Sequence, residues 1–379
     1  MKNIRLFKPS VGEEELNAVK EVFDRNWLGL GPKVGEFEDA FTDYLGRGGA
    51  SVAVNSATAA LHLALDVYKF EEKKEVLVPN ITFVSTAHAV LYNRLTPVFV
   101  DVNENMTICI NDLKSKITEN SVAIIPVHLG GHPCDMESIM SIAEEHKLKV
   151  VEDCANCTGG SYNGLKLGTI GDIGCYSFEE KKNMTTGDGG MIFSRDMDVI
   201  EKIKKVRWCG IDRDTWRRLK VQDDSQDDPY HWYYEVADLG YKYNMNDLAA
   251  SIGLVQLKKL DWMNQQRARF IKIYLDRIKH IDELVPAVDY DLKDSGYWLF
   301  FVKVNERAEF INYLKRHGVS TGVHFMPMTS HPLYSSFSSD LTPHADKEWE
   351  RLLTLPLYPD MSDDDVNYVC DVIDSYYER

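Results

Sequence analysis

The sequence has no hydrophobic run long enough to cross a membrane. The longest stretch without a charged residue extends from Val76 to Asn93, and it contains Pro79 and Asn80. A membrane-spanning helix needs about 20 predominantly apolar residues, which this stretch does not offer. The first residues, MKNIRLFKPSVGEEEL, also lack the apolar segment of a secretory signal. We therefore expect a protein of the cytoplasm that does not enter a membrane.

Cysteine is scattered, and only one pair is closely spaced. The chain has 7 cysteines in 379 residues, and Cys154 and Cys157 form a single CxxC motif. A structural zinc site of the CxxC type needs a second such pair, which the sequence does not contain. An odd number of cysteines in a long chain without a secretory signal indicates reduced thiols. We expect neither a disulfide framework nor a bound metal ion.

Positive charge is scarce, with 43 Lys and Arg residues against 59 Asp and Glu residues, a net charge of −16. An acidic surface repels a phosphate backbone, which disfavours general nucleic-acid binding but allows a local pocket for a small phosphate group. Hydrophobic residues make up 44% of the chain, and no repeat or low-complexity tract interrupts it. This composition provides a large core and excludes the disordered and fibrous classes.

Short apolar runs alternate with helical patterns through the first part of the chain. Strands are predicted at 51–54, 75–78, 96–100, 122–126 and 149–152, and helices at 57–70, 82–92, 110–118 and 136–146. This alternation predicts an α/β fold with a mostly parallel central sheet. A long helical pattern at 248–275 opens the remainder, which mixes helices with strands such as 297–304. We predict a large α/β domain, residues 1–247, and a smaller α+β domain, residues 248–379.

Three segments carry residues that could hold a phosphorylated cofactor. Small residues at 55–60 lie between a predicted strand and helix, where they could bind a phosphate or where Ser56 could simply cap the helix. Asp153 ends a predicted buried strand, where its carboxylate could bind a ring N–H⁺ or cap a helix. Lys181 and Lys182 precede a Thr/Gly-rich turn. A desolvated lysine there becomes a nucleophile toward carbonyl groups, although two lysines could also form an ordinary surface turn.

Together the three segments suit pyridoxal 5'-phosphate (PLP). The lysine would hold the cofactor aldehyde as a Schiff base, and the carboxylate would keep the pyridine nitrogen protonated, so that the ring can act as an electron sink. The order of these segments and the residues in them resemble those of the DegT/StrS family of PLP-dependent sugar aminotransferases. These enzymes have the fold-type I, aspartate aminotransferase-like architecture. The resemblance runs nearly end to end, through the segments at 8–15, 55–65, 82–83, 126–131, 152–153, 171–178, 182–190, 240–247, 324–325 and 355–362.

The resemblance implies a set of cofactor-binding residues in the first half of the chain. Ala57 and Thr58 would bind the cofactor phosphate, and Ser177 would add a hydroxyl group. Phe83 would stack on the electron-poor pyridine ring. Asp153 would pair with the pyridine nitrogen.

The remaining matches complete the implied site. Asn156 would contact the 3-hydroxyl group of the cofactor, at a position where many relatives carry Gln or His. Lys182 would form the Schiff base, and His324 would lie near the substrate or else serve as a packing residue. Lys242 and Asn244 would reach the phosphate bound by a second copy of the chain. The resemblance therefore implies a homodimer with shared active sites.

Lys182 rather than Lys181 is predicted to carry the Schiff base. Adjacent residues on an extended strand point to opposite sides, so both lysines cannot serve one cofactor. In the family pattern the lysine lies five residues after the phosphate-binding serine, and Ser177 plus five is Lys182. Lys181 would then point away and pair with Glu179 or Glu180, in a contact that stabilises little.

Two departures from the family pattern bear on the substrate. Glu179 and Glu180 stand where relatives often carry a His or small residues, and the polar, tryptophan-containing stretch at 212–234 is longer than in many relatives. We interpret that stretch as a surface excursion or lid. Both features are expected near the sugar.

The resemblance implies that an amino group moves from L-glutamate, or else L-glutamine, to a keto group of a nucleotide-linked deoxysugar, with C4 favoured over C3. An aminotransferase acting on a keto-inositol or another small keto compound is an alternative, and so is a non-catalytic regulator on the same fold. Sugar dehydratases of the family carry a His in place of the lysine, so Lys182 argues against that activity.

Overall fold

The computed structural model describes residues 2–212, 232–293, 296–337 and 342–378. Its first half contains nine strands: β1 (Ala50–Val54), β2 (Glu75–Pro79), β3 (Thr96–Val100), β4 (Ser121–Ile124), β5 (Lys149–Asp153), β6 (Ser161–Tyr162), β7 (Leu165–Lys166), β8 (Ile173–Ser177) and β9 (Gly190–Ser194). Five of the long strands, β1 to β5, occupy the positions at which apolar runs alternate with helical patterns, and their buried residues form nearly continuous apolar stretches.

Seven of these strands form one sheet in the order β1-β9-β8-β5-β4-β2-β3, while β6 and β7 form a separate hairpin. Strand β9 runs antiparallel to both β1 and β8, and all the other neighbours in the sheet are parallel. The predicted α/β architecture with a mostly parallel sheet is confirmed. In such a sheet the carboxyl ends of the parallel strands meet at one edge, where ligands bind.

Seven helices belong to this part of the described chain: α1 (Glu13–Asp24), α2 (Pro32–Leu45), α3 (Ala57–Asp66), α4 (Val84–Tyr92), α5 (Ile110–Lys116), α6 (Met136–His146) and α7 (Met197–Val206). Helices α3, α4 and α7 pack on one apolar cluster with strands β1, β2, β5, β8 and β9. Helix α2 packs in a different cluster that includes Tyr176 and Phe193, and α6 packs in a third that includes Leu77 and Val150. Apolar side chains thus cover both faces of the sheet.

The C-terminal part begins with a long helix, α8 (Asp247–Ile278), and continues with β10 (Leu284–Pro286), β11 (Phe300–Val304), α9 (Arg307–Arg316), α10 (Pro343–Trp349), β12 (Leu352–Leu355) and α11 (Asp363–Tyr377). Strands β10, β11 and β12 form an antiparallel sheet in that order. Along α8, Leu260 packs in the cluster of α2, whereas Phe270 packs in the cluster of the small sheet. This helix therefore joins the two parts, and the division at residue 247 stays a prediction.

Several predicted boundaries differ from the structure by two residues or more, among them the end of helix α5 at Lys116 and the end of β4 at Ile124. Helix α3 ends at Asp66 rather than at residue 70, and Lys69 has a left-handed φ of 48°. Helix α4 begins at Val84, so that Phe83 lies outside it in an extended conformation. Strand β11 begins at residue 300 rather than 297, because the N–H groups of Trp298 and Leu299 donate to the carbonyl oxygen of Gly130 instead of to a neighbouring strand.

The predicted lid at 212–234 falls mostly on residues 213–231, which lie outside the described residues. Asp212 and residues 232–234 are described, and the side chains of Trp232, Tyr233 and Tyr234 are exposed. Among the described helices, none combines the length and the apolar character that a membrane crossing requires.

Candidate active site

A cavity of about 750 Å³ opens at the carboxyl ends of the parallel strands. Strand β1 leads into it through the start of α3, β5 ends there at Asp153, and β8 ends there at Ser177. Eight of the ten predicted site residues line this cavity: Ala57, Thr58, Phe83, Asp153, Asn156, Ser177, Lys182 and His324. The fold thus brings together residues that are separated by up to 267 positions in the chain, since 324 − 57 = 267.

The N-terminus of α3 forms one wall of the cavity. The Ser56 hydroxyl oxygen accepts a hydrogen bond from the N–H of Ala59 at 3.1 Å, so Ser56 does cap the helix. The N–H groups of Ala57 and Thr58 lie in the first turn, where they have no acceptor within the helix and the helix dipole is positive. The cap and the phosphate site that the sequence offered as alternatives are therefore compatible. This end of the helix can accept an anion.

Gly190 allows strand β9 to approach this helix end closely. A Cβ atom at Gly190 would lie 2.6 Å from the carbonyl carbon of Ser56, a distance that a side chain could not keep. Gly190 is also paired with Ser177 across β8 and β9. The close approach places the Ser177 hydroxyl group, which is almost fully buried, on the same side of the cavity as the start of α3. A residue larger than glycine would separate these two potential phosphate ligands.

Asp153 is the last residue of β5 and is 4% exposed. Its Oδ2 accepts a hydrogen bond from the Thr86 hydroxyl group at 2.8 Å, and its Oδ1 accepts one from the N–H of Ala155 at 3.1 Å. Burial raises the pKa of the Asp153 carboxyl group, against the opposing effects of these hydrogen bonds and of the Lys182 ammonium group. A cationic partner in the cavity would relieve this desolvation. The sequence offered no signal for Thr86, which reaches Asp153 because the first turn of α4 lies near the end of β5.

A buried polar network lies next to Asp153 in the chain. Glu152 accepts hydrogen bonds from the N–H groups of Gly168, Ile170 and Gly171 at 2.7 to 2.8 Å, and its Oε2 lies 3.1 Å from Nε2 of His128. Nδ1 of His128 accepts a hydrogen bond from the N–H of Cys134. His128, Glu152 and Cys154 are close enough to one another to hold a metal ion. Hydrogen bonds already satisfy the imidazole and the carboxylate, so this cluster works as a support for β5.

Lys182 lies in a turn after β8, not on a strand, so the argument from alternating strand residues was wrong. The two lysines nevertheless differ in environment. The Lys181 side chain is 50% exposed, and its Nζ lies 3.8 Å from the Glu179 carboxylate, as the sequence predicted. The Lys182 side chain is half-buried, with its Nζ 3.7 Å from the centre of the Trp298 ring. Both lysines line the cavity.

The environment of Lys182 favours its neutral amine more than water does. Burial lowers the pKa of the Lys182 ammonium group to about 8, while the carboxylates of Asp153 and Glu179 partly oppose this shift. A lysine with such a pKa has an appreciable neutral fraction near pH 7, and only the neutral amine attacks a carbonyl group. Of the two adjacent lysines, Lys182 therefore has the chemistry that a Schiff base requires.

His324 lies in an aromatic group that includes Trp298, the residue whose ring contacts the Lys182 amine. Its ring centre is 5.7 Å from that of Phe7, 5.7 Å from that of Trp298 and 5.1 Å from that of Phe325. Nδ1 of His324 shares a hydrogen bond of 2.8 Å with the Thr354 hydroxyl group. Burial, with the nearby lysine charges, lowers the pKa of His324 to about 4, so the ring is neutral near pH 7. Phe7 and Trp298 also line the cavity, and the sequence analysis did not find them.

Lys242 and Asn244 lie outside the cavity that the other eight residues share. Nζ of Lys242 donates a hydrogen bond to Oδ1 of Asn244 at 2.7 Å and lies 3.4 Å from the centre of the Trp208 ring. The Lys242 side chain is exposed. Within one chain these two residues therefore form a separate polar pair on the surface.

The cavity fits PLP on two observations. Oδ1 of Asn156 is buried at the cavity without a hydrogen-bond partner among the described residues, and a buried amide oxygen of this kind indicates a missing donor. The start of α3 can accept an anion, and the close approach of Gly190 brings a buried hydroxyl group to it. Asn156 could accept from the 3-hydroxyl group, α3 and Ser177 could hold the phosphate, and Lys182 and Asp153 could hold the aldehyde and the pyridine nitrogen.

Comparison with known proteins supports the same chemistry. Residues 9–374 match the model of the DegT/DnrJ/EryC1/StrS aminotransferase family. The chain is 38% identical to the spore coat polysaccharide biosynthesis protein SpsC of Bacillus subtilis, across 96% of this chain and 95% of that protein. It is 33% identical to GDP-perosamine synthase of Escherichia coli O157:H7, across 100% and 99%. The PLP form of Spr1654 from Streptococcus pneumoniae superposes with a TM-score of 0.89 at 27% identity, across 100% and 99% of the two chains.

Proposed function

The chain belongs to the DegT/DnrJ/EryC1/StrS aminotransferase family of PLP-dependent sugar aminotransferases, and we propose on that premise that it aminates a nucleotide-linked deoxysugar. The amino group would move from L-glutamate to a keto group at C4. The observation that carries the proposal is the convergence of Lys182, Asp153 and the start of α3 on one cavity. The cytoplasm stays the predicted location of this reaction.

Bound PLP supplies an electron sink for the negative charge that develops on the donor carbon. The residues of the chain then have distinct tasks. The Asp153 carboxylate, fixed by Thr86, would keep a proton on the pyridine nitrogen. The amine of Lys182 would take a proton from the donor carbon and give it to C4′ of the cofactor, across the amino nitrogen, which would make it both general base and general acid. A pKa near 8 suits a group that must both take and give a proton near neutral pH.

The size and lining of the cavity support a substrate larger than an amino acid. The cavity also includes Arg5, Glu179 and Ser320, which have no part in the predicted cofactor site. Charged and hydroxyl side chains of this kind can bind sugar hydroxyl groups and phosphates, whereas the aromatic rings of Phe7 and Trp298 offer apolar surface. The name of one relative contains a nucleotide-linked amino sugar, and that of another contains polysaccharide biosynthesis. The first name favours a nucleotide sugar, and the second is consistent with a sugar substrate.

We also propose that two copies of the chain share their active sites. Lys242 and Asn244 match family positions that bind the cofactor phosphate, yet they lie outside the cavity of their own chain. An exposed apolar segment precedes them, with Trp232 at 59% exposure and Leu239 at 80%. Large exposed apolar side chains indicate an interaction surface. A homodimer could cover this segment and bring the polar pair to the partner's phosphate.

A substrate panel tests the proposed activity. The purified protein would be loaded with PLP and mixed with L-glutamate or L-glutamine and the UDP-, dTDP- or GDP-linked 4-keto-6-deoxysugars. Amino-sugar formation would be followed by mass spectrometry, and a 3-keto sugar and a keto-inositol would serve as comparison substrates. We expect one nucleotide-linked 4-keto sugar to be aminated fastest, with glutamate as donor. Activity confined to the keto-inositol would overturn the substrate, and a cofactor band that glutamate leaves unchanged would indicate a regulator.

A further inference from the structure

The turn that carries Lys182 has few main-chain hydrogen bonds of its own. The N–H of Lys182 donates to the carbonyl oxygen of Glu179 at 3.0 Å, and the N–H of Thr186 donates to that of Phe178 at 2.9 Å. The carbonyl groups of residues 181, 182 and 183 accept from side chains instead. The shape of this turn therefore depends on the helices and strands whose side chains donate to its carbonyl groups.

Arg267 of α8 supplies two of these donors. Its Nη2 donates to the carbonyl oxygen of Lys182 at 3.2 Å, and its Nη1 donates to that of Asn183 at 3.2 Å. Nη1 also donates to Oδ1 of Asn264 at 3.3 Å. The guanidinium fork is rigid, so two bonds to successive carbonyl groups fix the direction of the main chain at Lys182.

The surroundings of Arg267 are unusual for a charged residue. The side chain is 3% exposed, and no carboxylate of the described residues lies within ion-pair distance of it. Burial lowers the pKa of the guanidinium to about 9, although the more distant Asp360 opposes the shift. A buried cation without a carboxylate partner is costly, and a fully apolar residue would avoid that cost. The guanidinium is retained here where its donors serve three acceptors, and two of these are the carbonyl oxygens of Lys182 and Asn183.

Trp298 supplies the third donor and also contacts the side chain of Lys182. Its indole N–H donates to the carbonyl oxygen of Lys181, and its ring face lies 3.7 Å from Nζ of Lys182. Phe7 stacks on the same ring at 5.3 Å, with an angle of 10° between the planes. Trp298 is 4% exposed, so its ring has little freedom to move. The main chain and the amine of Lys182 are thus held by residues from the C-terminal part of the chain.

We propose that Arg267 and Trp298 are positioning residues, which hold the Lys182 turn so that the lysine amine points at the reacting atoms. This inference rests on the proposed function, in which Lys182 carries the cofactor. Arg267 would act on the main chain at Lys182, and Trp298 would act on both the main chain and the amine. The alignment of the lysine would then depend on how α8 and the residues before β11 pack against the large sheet. A displacement of about 1 Å at a reacting group can lower a rate by about 100-fold.

The test uses PLP-loaded protein and the substrate that the panel identifies. Arg267→Lys retains a positive charge but loses the fork, and Arg267→Met loses both. Trp298→Phe loses the N–H donor and retains an aromatic face. Arg269→Met is the matched control, because Arg269 lies two positions along the same helix, is exposed and pairs with Asp363. Thermal melting would establish which variants are folded.

Two readouts separate positioning from a merely structural role. The first is the pH midpoint of the absorbance change of the bound cofactor, which reports the surroundings of the lysine linkage. The second is the distribution of label between Lys181 and Lys182 after borohydride reduction and peptide mapping. We expect Arg267→Met to lower kcat by about 10- to 100-fold with less than threefold change in the KM for the sugar. We also expect a shifted midpoint and partial rescue by Arg267→Lys.

The outcomes distinguish this inference from the proposed function. If the unmodified protein carries no label at Lys182, the proposed function fails and the inference fails with it. If Lys182 is labelled but folded Arg267→Met retains the original kcat and pH midpoint, the positioning role alone is wrong. Should Arg267→Met fail to fold, Arg267→Lys and Trp298→Phe decide the question through the same readouts. Arg269→Met should match the unmodified protein, and a kcat that falls as far as in Arg267→Met would also contradict the inference.

Discussion

Two regions of this protein carry residues that the family resemblance assigns to the cofactor, and they differ in how far the lysine is buried and in what holds it in place. In both regions burial lowers the pKa of the lysine, and its amine lies over a tryptophan ring. At the Lys182 turn, the lysine is half-buried, its pKa is lowered to about 8, and three carbonyl groups accept hydrogen bonds from the distant side chains of Arg267 and Trp298. At the Lys242–Asn244 pair, the charged group is exposed and its amide partner is two residues away in the chain. The first region is completed within one chain, whereas the second faces outward.

The difference in burial between the two regions corresponds to a difference in the reactions that their lysines can support. A group that must exchange a proton near neutral pH needs surroundings that disfavour its charged form, and only a folded core provides them. A group that binds a phosphate as a point charge needs access and needs no shift of that kind. We therefore expect the Lys182 region to control the rate and the Lys242 region to control cofactor retention. The following predictions test this contrast, starting with the largest expected effect.

Replacing Lys182 by alanine should abolish turnover while leaving the protein folded. The variant loses the nucleophile as well as the general base and acid, so we expect a loss of more than about 1000-fold in kcat. Lys181→Ala is the matched control, since Lys181 is its exposed neighbour. That variant should retain kcat within about threefold, because exposed ion pairs contribute little. Steady-state kinetics and a borohydride peptide map would measure both, and a pyridoxyl label on Lys181 would contradict the assignment.

Asp153→Asn should lower kcat by about 100-fold, because an amide cannot keep the pyridine nitrogen protonated and the electron sink weakens. Asp153 is buried with its oxygens bonded to Thr86 and Ala155, so the amide fits the same space. Thermal melting should show a folded protein. Asp188→Asn is a control at the same cavity and should have a smaller effect. If Asp153→Asn turns over at the unmodified rate, Asp153 does not serve the pyridine nitrogen.

The rate at which the cofactor-free protein captures PLP should rise about tenfold per pH unit below pH 8 and level off above it. The sign follows from the shift: burial lowers the pKa of Lys182 from its usual 10.5 to about 8, and the neutral amine is the reactive form. Stopped-flow absorbance would record the rate.

The same measurement links Lys182 to Asp153. The Asp153 carboxylate raises the pKa of Lys182, so Asp153→Asn should move the midpoint to lower pH. A midpoint near 10.5 in the unmodified protein would show that the lysine is fully solvated and would remove the contrast between the two regions.

Lys242→Ala should weaken PLP binding by about fivefold with little change in kcat, as expected for an exposed charge–phosphate contact of about 1 kcal/mol. Equilibrium dialysis would measure the dissociation constant. Lys204→Ala is a control, because Lys204 is a surface lysine of α7 paired with Glu201. An effect on kcat as large as that of Asp153→Asn would place Lys242 in the catalytic machinery instead.

Mixed dimers test whether the two regions belong to different chains. Lys182→Ala protein and Lys242→Ala/Asn244→Ala protein would be unfolded together, refolded and compared with the separate variants. If sites are shared, each mixed dimer has one site with an intact lysine and an intact polar pair from the partner, so PLP affinity at that site recovers. If Lys242 and Asn244 serve their own chain, mixing restores no tight site. Equal affinity in mixed and separate samples would therefore overturn the shared site.

The sheet and several site residues could be predicted because each depends on a short segment of sequence. The alternation of apolar runs and helical patterns predicts the sheet, because parallel strands are buried on both faces and read as continuous apolar stretches. Asp153 at a strand end and Ser56 before a helix were identified for the same reason. The choice between Lys181 and Lys182 rested on spacing to Ser177, and its strand argument failed because a turn, not a strand, carries the lysines.

The sequence by itself determined the α/β class, the residues that could hold a phosphate and an aldehyde, and the family, since each depends on short segments whose chemistry can be interpreted locally. Only the tertiary structure decided which of them meet. Thr86 reaches Asp153, Trp298 covers Lys182, and Arg267 holds the turn from 85 positions away, since 267 − 182 = 85. The hydrophobic pattern of the sequence does not predict such contacts, because they depend on how α8 and β11 pack against the large sheet. The same packing removes water from Lys182 and so creates the shifted pKa on which the proposed chemistry depends.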